Sequence, residues 1–503
     1  MIRKSFLSAC LGLFLAACAV GPDYERPDLP TPARFKEFGA WKAAEPKDGI
    51  PRGNWWEVYG DPVLDDLVER VGISNQNVAM AEAQYRGAVA ALGIANASMF
   101  PSLNPNFSRT RTQGVSSAMP SSVGGSTITP GAPIREVDRL TFNAAWEIDL
   151  WGRVRRGIEA GETAAAASAA DLDLALLSAR AALVQSYLQL RINEAQRRLL
   201  DETTVAYERS LEIARNRYDA GVVGRIDVTQ AETQLKTTRA QAIDLGIQRA
   251  QFEHAIALLL GVAPSDFSLP VTASLPDLPS IPAGLPSDLL ERRPDIAAAE
   301  RRVASANAQI GVAQAAFFPA LTLTGNIGYQ TSTGLTDLIM LPNRFWSVGP
   351  SLALALFDGG ARFAQRDQIV AAYDRSVAAY RQSVLTAFQE VEDNLAALRI
   401  LDEETDVQRE AVDFAAESLR LTYNQYQTGI VSYLNVVTAQ ATSLSTERVR
   451  IELKGRKLLA SLALIKALGG GWTDARKPAQ DTVLDREARL APDDEPRSQN
   501  IEP

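Results

Sequence analysis

The sequence predicts an α+β membrane protein: long coiled-coil-like helical hairpins joined to four transmembrane strands per chain, which contribute to a barrel shared between chains. Three observations carry this reading. The chain is written twice, with a domain-sized period. Each copy holds a stretch without proline that is long enough for a hairpin of unusual length. Each copy also holds two segments that alternate apolar and polar residues at period two.

The duplication is read by self-comparison. Tyr218-Asp-Ala-Gly221-Val-Val-Gly-Arg-Ile226-Asp-Val228 aligns with Tyr426-Gln-Thr-Gly429-Ile-Val-Ser-Tyr-Leu434-Asn-Val436, and Leu260-Gly261 aligns with Leu468-Gly469 at the same offset. Upstream, Met99-Phe-Pro-Ser-Leu103 matches Phe317-Phe-Pro-Ala-Leu321. The chain therefore divides into a signal segment (1–17), an N-terminal lipid-anchored and equatorial segment (18–73), a first repeat (74–262), a Pro-rich connector (263–288), a second repeat (289–472) and a charged tail (473–503) expected to be disordered.

Composition removes several classes of function. A formal charge of −9 argues against a nucleic-acid surface, which needs a basic field. One His, two Cys and five Met in 503 residues argue against a His/Cys metal site, a His-based catalytic centre or a Met-lined metal channel. His254, in Phe252-Glu-His-Ala-Ile, is read as helix packing.

The elements follow in order. Arg3 and Lys4 precede an apolar run from Phe6 to Ala17, of signal-peptide length and too short to span a bilayer well. Leu15-Ala-Ala-Cys18 resembles a bacterial lipobox, which implies diacylglycerol on the Cys18 thiol and a chain held at the membrane by acyl groups. Ala19 stands where lipoproteins kept in the inner membrane usually carry Asp, which by that resemblance favours the outer membrane. Cys10 would leave with the signal, so no disulfide is expected.

Each repeat opens with a helix of roughly 25 residues, at about 74–99 and about 293–317. Long hairpins are expected at about 153–260 and about 361–468. Val370, Tyr373, Val377, Tyr380, Val384, Phe388, Val391, Leu395 and Leu398 step by three and four, and Leu434, Val437, Ala441, Leu444, Ile451, Leu458, Leu462 and Ile465 continue the seam. No Pro lies between Pro133 and Pro264 or between Pro350 and Pro478. A 65-residue helix would span roughly 100 Å.

Strands are expected at about 101–110, 138–150, 319–330 and 344–357. In Leu140–Leu150 the even positions are apolar, and the odd positions are Thr141, Asn143, Ala145, Glu147 and Asp149. Trp346, Val348, Leu352, Leu354 and Leu356 oppose Ser347, Gly349, Ser351, Ala353 and Ala355. A half-buried soluble sheet shows the same period; the lipobox and the long polar loops (about 111–135 and 331–343) favour an outer-membrane barrel. Four strands cannot close, and an open edge cannot sit in hydrocarbon. Two chains would give eight strands and three would give twelve, the latter leaving a wide lumen that suits small polar inward faces.

The run Cys18-Ala-Val-Gly-Pro-Asp-Tyr24-Glu-Arg-Pro27, the pair Trp55-Trp56, and Arg292-Arg-Pro294-Asp295-Ile-Ala-Ala-Ala-Glu300 through to Ala315-Ala-Phe317-Phe318-Pro319 resemble the TolC-like outer-membrane factor family, and within it the NodT/OprM-type efflux lipoproteins. The resemblance covers about 15–472. It implies a homotrimer with a twelve-stranded barrel in outer-membrane lipid and an α-barrel crossing the periplasm to meet an adaptor (membrane fusion) protein and an inner-membrane resistance-nodulation-division pump. The implied role is a passive exit duct for small molecules such as drugs or toxic compounds. It implies no enzyme activity and no cofactor beyond the lipid on Cys18. A type I protein-secretion duct would share the fold, and a lipid-anchored periplasmic scaffold would explain the helices but not the strands.

By the same resemblance the two matched glycine turns are the periplasmic tips. Gly221 and Gly429 suit helix ends that need positive φ. Val222, Val223, Arg225, Ile430, Val431, Ser432 and Tyr433 would then be exposed to the adaptor. Leu434 and Thr438, four apart, can face one way at the narrow end as gate residues. Many family members carry Asp at the position of Thr438, so an acidic ring is in doubt here, and Asp227 is the alternative source of charge. Glu147 and Asp149 are read as lumen-facing charges rather than a pair at the strand end.

Overall fold

The computed structural model describes residues 19–29, 36–38, 54–113, 134–272, 274–279 and 293–470. Cys18, the signal segment and the tail 473–503 lie outside the described residues, as do most of the first loop and part of the connector. The described elements are α1 (Pro62–Ser74), α2 (Gln76–Ala97), β1 (Ser102–Gln113), β2 (Ile134–Ile148), α3 (Arg153–Asp219), α4 (Arg225–Leu259), α5 (Pro294–Ala315), β3 (Ala320–Thr331), β4 (Arg344–Ala353), α6 (Ala361–Gln427) and α7 (Tyr433–Ala467).

The duplicated plan is present in three dimensions. Both α3 and α6 have 67 residues, and both α4 and α7 have 35. At 1.5 Å per residue each long helix reaches about 100 Å. Several boundaries differ from the sequence reading: β1 runs to Gln113 rather than about 110, and β2 spans Ile134–Ile148 rather than about 138–150. The helix expected from about residue 74 is two helices, because Asn75 is extended and its Oδ1 accepts from Asn77 N (3.0 Å) and Val78 N (3.2 Å), ending α1 and capping α2. The fourth strand stops at Ala353 rather than 357. There the Asp358 carboxylate accepts from Gly360 N (3.0 Å) and Arg362 Nε (2.6 Å), which turns the chain into α6.

The sheet has the order β1-β2-β3-β4 and is antiparallel throughout. Its registers run without a bulge from Ser102↔Ala145 to Gln113↔Ile134, from Asp138↔Thr331 to Ile148↔Leu321, and from Ala320↔Ala353 to Tyr329↔Arg344. Directly opposed residues share a face, so the unbroken register fixes two surfaces. One carries Leu103, Phe107, Leu140, Phe142, Trp146, Leu323, Ile327, Trp346, Val348 and Leu352; the other carries Asn104, Asn106, Thr141, Asn143, Thr322, Thr324, Asn326 and Ser347. The apolar face lies bare: Trp346 is 69% exposed and Leu103 67%. Among the described residues β1 and β4 each pair on one side only.

The hairpins α3/α4 and α6/α7 meet chiefly through α3 and α7, while α5 lies against α3 and α6. At mid-height Trp55, Trp56, Tyr59 and the α1 face Leu64, Leu67, Val68 and Val71 pack on Tyr187, Leu188, Tyr380, Leu458 and Leu462 in one buried core. The seam expected along α7 holds at Ile451, Leu458, Leu462 and Ile465. Near the tip it slips by one residue: Tyr433, Val436 and Gln440 are buried, and Leu434 is exposed. The slip arises because α7 there faces the other hairpin as well as α6. His254 is exposed on α4, not packed within the chain as its apolar neighbours suggested. It shares an unpartnered face with Ile243, Ile247 and Leu258.

The N-terminal segment is strapped across the junction of strands and helices. Val20 N donates to Trp151 O (3.0 Å), Arg156 donates to the Asp23 carboxylate (2.7 Å), and Asn307 Nδ2 donates to Pro22 O (3.0 Å). Further along, Tyr24 donates to Glu300 (2.7 Å) and Arg26 Nε to the Tyr380 hydroxyl (3.1 Å). Gly311 is the seat of this strap: a Cβ there would lie 3.0 Å from the Val20 carbonyl and 2.9 Å from Arg156 Cγ. Gly311→Ala should therefore cost about 1–3 kcal/mol as an overpacked contact. Limited proteolysis of the N-terminal segment should become faster in the variant, and an unchanged cleavage rate would contradict this account.

Candidate functional site

The site is built from four helix ends at the free end of the two hairpins. Helix α3 terminates through Gly221 (φ +71°), with Val222 N donating to Arg217 O (2.9 Å) and Gly221 N to Tyr218 O (2.9 Å). Helix α6 terminates identically through Gly429 (φ +80°), with Ile430 N to Gln425 O (2.9 Å) and Gly429 N to Tyr426 O (3.0 Å). This paired bonding is the Schellman motif, and its left-handed residue is why glycine stands at both turns. The turns project Val222 (62% exposed) and Ile430 (73%) into solvent.

Above the turns the two hairpins lock onto each other. Tyr426 and Tyr433 are buried edge to face, with ring centroids 5.3 Å apart, against Tyr207, Leu211, Ala214, Ala231 and Leu235 of the first hairpin. Burial, then the neighbouring tyrosines and Asp227, hold the Tyr433 phenol far above its ordinary pKa; burial followed by Asp227 raises that of Tyr426. Both phenols therefore stay neutral. Arg217 spans the gap: its Nη1 donates to Tyr426 O (2.7 Å) and Gln427 O (3.3 Å), and its guanidinium lies 4.7 Å from the Tyr426 ring centroid. The cation adds to the Gly429 N–H bond at Tyr426 O and satisfies Gln427 O at the C-terminal end of α6. Gln440 Nε2 donates to Ser210 Oγ (3.2 Å) one turn further up.

The residues singled out from sequence fall into three groups. Val222, Arg225, Gly221, Gly429, Ile430 and Ser432 are exposed, with Val223 and Val431 half-buried. Tyr433 is a correction: it is 2% exposed and belongs to the lock, because its ring fills the space between hairpins. Leu434 is 55% exposed and Thr438 is exposed too, its Oγ1 donating to Leu434 O (3.0 Å), so both lie on the free side of α7. Asp227 stands at the edge of the tyrosine cluster rather than with Leu434. Arg217 and Tyr426 were missed as a lock. Their only sequence signal was that the first copy has Tyr218 where the second has Tyr426, and nothing in the alignment says which one is buried.

Glu147 and Asp149 lie at the other end of the molecule. The Glu147 carboxylate accepts from Arg153 Nε (2.7 Å). Asp149 accepts from Val154 N (3.1 Å) and Arg155 N (2.9 Å), so it caps the first turn of α3. Neither is a free charge. Among the described residues there is no group of His, Cys, Asp and Glu arranged to hold a metal.

The profile of the outer membrane efflux protein family matches residues 67–262 and 285–470, the two structural repeats with their strands and hairpins. The chain belongs to the outer membrane efflux protein family. Its members include the probable efflux pump outer membrane protein TtgC of Pseudomonas putida, 33% identical over 477 residues, which cover 94% of this chain and 96% of the relative. The pyoverdine export outer membrane protein OpmQ of Pseudomonas aeruginosa is 29% identical over 479 residues, covering 95% and 98%. The outer-membrane channel OprN superposes with a TM-score of 0.82 at 30% identity, over 90% of this chain and all of that one. The open state of the MtrE outer membrane channel of Neisseria gonorrhoeae gives 0.78 at 27% identity, over 90% and 98%. Family membership places the chain in the outer membrane as an efflux component.

The lock makes a direct prediction. Arg217→Ala removes two hydrogen bonds from a charged donor and should loosen the contact between hairpins by about 1.5–3 kcal/mol. Backbone amides around Tyr426 and Ile430 should then exchange hydrogen faster, with those of the mid-height core unchanged. Equal protection in the two proteins would remove Arg217 from the lock.

Proposed function

We propose that the chain is one third of a homotrimeric duct, a passive exit for small molecules in a tripartite efflux pump of the resistance-nodulation-division type. One observation carries this reading: a bulge-free four-stranded sheet, apolar on one face and polar on the other, that is open at both edges and continues into hairpins about 100 Å long. Its edges must be paired before the apolar face can enter lipid. Two copies would close an eight-stranded barrel, whose interior side chains fill. Three copies leave a lumen, and the neutral polar row Asn104, Asn143, Asn326 and Ser347 suits water on that side.

The helices support the same ring. Among the described residues α4 and α6 are the outer members of the two hairpins, and each carries an apolar stripe that no described residue covers. On α6 it is Ile400, Val407, Phe414 and Leu421, spaced by sevens and from 48% to 75% exposed. On α4 it includes Ile243 and Ile247, which lie at the height of Val407 counted from the tips. Stripes of this period are coiled-coil seams, so α6 of one copy would lie along α4 of the next. The tip asymmetry agrees, since Tyr218 (43% exposed) presents on the first hairpin the group that Tyr426 buries on the second.

In this assembly Leu434 and Thr438 would line the narrow end, with the Arg217–Tyr426 lock holding it shut. Val222, Ile430 and Ser432 would meet the adaptor, which opens the tips, while the inner-membrane pump supplies the energy and the choice of cargo. Acyl chains on Cys18 would sit in the inner leaflet, since Ala19 is held against Gly152 where β2 passes into α3. The duct itself makes and breaks no bonds.

Two measurements test the proposal. Wild-type protein should run as a heat-resistant trimer in SDS and conduct in planar bilayers, and Phe414→Glu should shift it toward monomer. A wild-type monomer without conductance would sink the duct. In trimers that conduct, Leu434→Ala with Thr438→Ala should raise conductance, and unchanged closure would remove those residues from the gate.

A further inference from the structure

The two faces of the sheet differ in charge at the end away from the helices. On the apolar face, beyond the band formed by Leu103, Phe107 and Leu140, stand Arg109, Arg111, Glu136, Asp138 and Arg344. Three arginines meet two carboxylates there: Arg109 Nε lies 2.8 Å from Glu136 and 3.2 Å from Asp138, so that face keeps a smaller excess of positive charge. On the polar face at the same level stand Arg135 and Arg139. No carboxylate of the strands shares that face with them except Glu147, at the opposite end and already bound to Arg153. The loop 114–133 contains no charged residue, and Asp337, the only one in 332–343, is engaged within its own turn by the Thr333 hydroxyl (2.8 Å).

The Arg139 side chain is positioned rather than neutralised. Its Nε donates to Gln330 Oε1 on the neighbouring strand (3.0 Å), and its guanidinium lies 5.7 Å from the Phe345 ring centroid. Both partners are uncharged and both belong to the polar face. The guanidinium is exposed and retains donors for another ligand. Arg135, four residues further toward the loop end, is exposed and has no ion pair among the described residues.

We propose that Arg135 and Arg139 form a cationic ring at the outer mouth of the duct, which binds and passes solutes bearing carboxylate or phosphate groups. The inference rests on the trimeric duct reading, in which two guanidiniums per chain give six around the mouth. Rings of arginine confer anion preference on pores, and guanidinium pairs geometrically with carboxylate and phosphate oxygens. With the one strand carboxylate of that face, Glu147, at the opposite end and bound to Arg153, the field adds across the lumen and concentrates anions there. Anionic cargo would thus be drawn outward at the last step, while cations would meet a barrier against re-entry.

The test uses the full-length trimer in planar bilayers, with inositol hexakisphosphate as the polyanion probe and hexaamminecobalt(III) as its cationic counterpart. The polyanion should block current when added on the loop side, and the cobalt complex on that side should not. Arg139→Gln and Arg135→Gln should each weaken the polyanion block by about fivefold, the factor expected for one charge contact in water. Arg139→Lys should retain most of it. The block should fade between about 0.1 M and 1 M salt, as screening shortens from about 10 Å to 3 Å. Heat-resistant trimers in SDS verify assembly of each variant; if the double variant fails to assemble, the single variants and Arg139→Lys decide. A conducting wild type that the polyanion blocks equally from both sides, or Gln variants blocked as strongly as wild type, would overturn the ring. A wild type that never conducts would overturn the duct itself.

Discussion

The rest of the structure depends on the pairing of backbone groups at the edges of a four-stranded sheet. In hydrocarbon an unpaired N–H or C=O costs several kcal/mol, and β1 and β4 each offer a full row. A soluble protein would blunt such edges with charge or bulges. Here the registers are regular, and the apolar residues lie outward. In the proposed trimer neighbouring copies pair these edges, and that ring would fix how the helices below are set. Hairpins hung from such a ring would themselves close, which would give a purpose to the stripes on α4 and α6.

Much of this was legible in the sequence because it follows from periods. Both long helices, both shorter ones and all four strands stand where spacings of three-four and two put them. Apolar seams average over many residues, so single errors do not move them. What failed to be read depends on one side chain meeting a distant one. Asn75 breaks a helix because its carboxamide caps the next one. The α7 seam slips at Tyr433 because a second hairpin competes for its surface. Glu147 alternates as a strand residue while Asp149 lies just past the end of β2, and their carboxylates are taken by Arg153 and the start of α3. No local pattern encodes such choices between partners.

The candidate site shows the same division. The glycine turns were readable because a left-handed helix end leaves glycine as the low-cost residue. The lock above them was not, since duplication makes Tyr218 and Tyr426 equivalent on paper while one is exposed and the other buried. The difference lies in what each copy has beside it. Within the chain the second hairpin already has a neighbour, and the first has none on its outer side. Internal symmetry in sequence thus becomes asymmetry in the monomer.

The N-terminal strap has a consequence for the order in which the chain matures. Arg26 reaches Tyr380, and Asn307 reaches Pro22, contacts between residues 354 and 285 positions apart. The earliest residues of the described chain find part of their seat on the first repeat, at Trp151 and Arg156, and the rest only when the second repeat has emerged and folded. Contacts of such separation form late because a long loop must close first. The leading end of the chain waits for its trailing half to complete its seat: the strap can be fastened along its whole length only on a molecule whose two repeats are both in place.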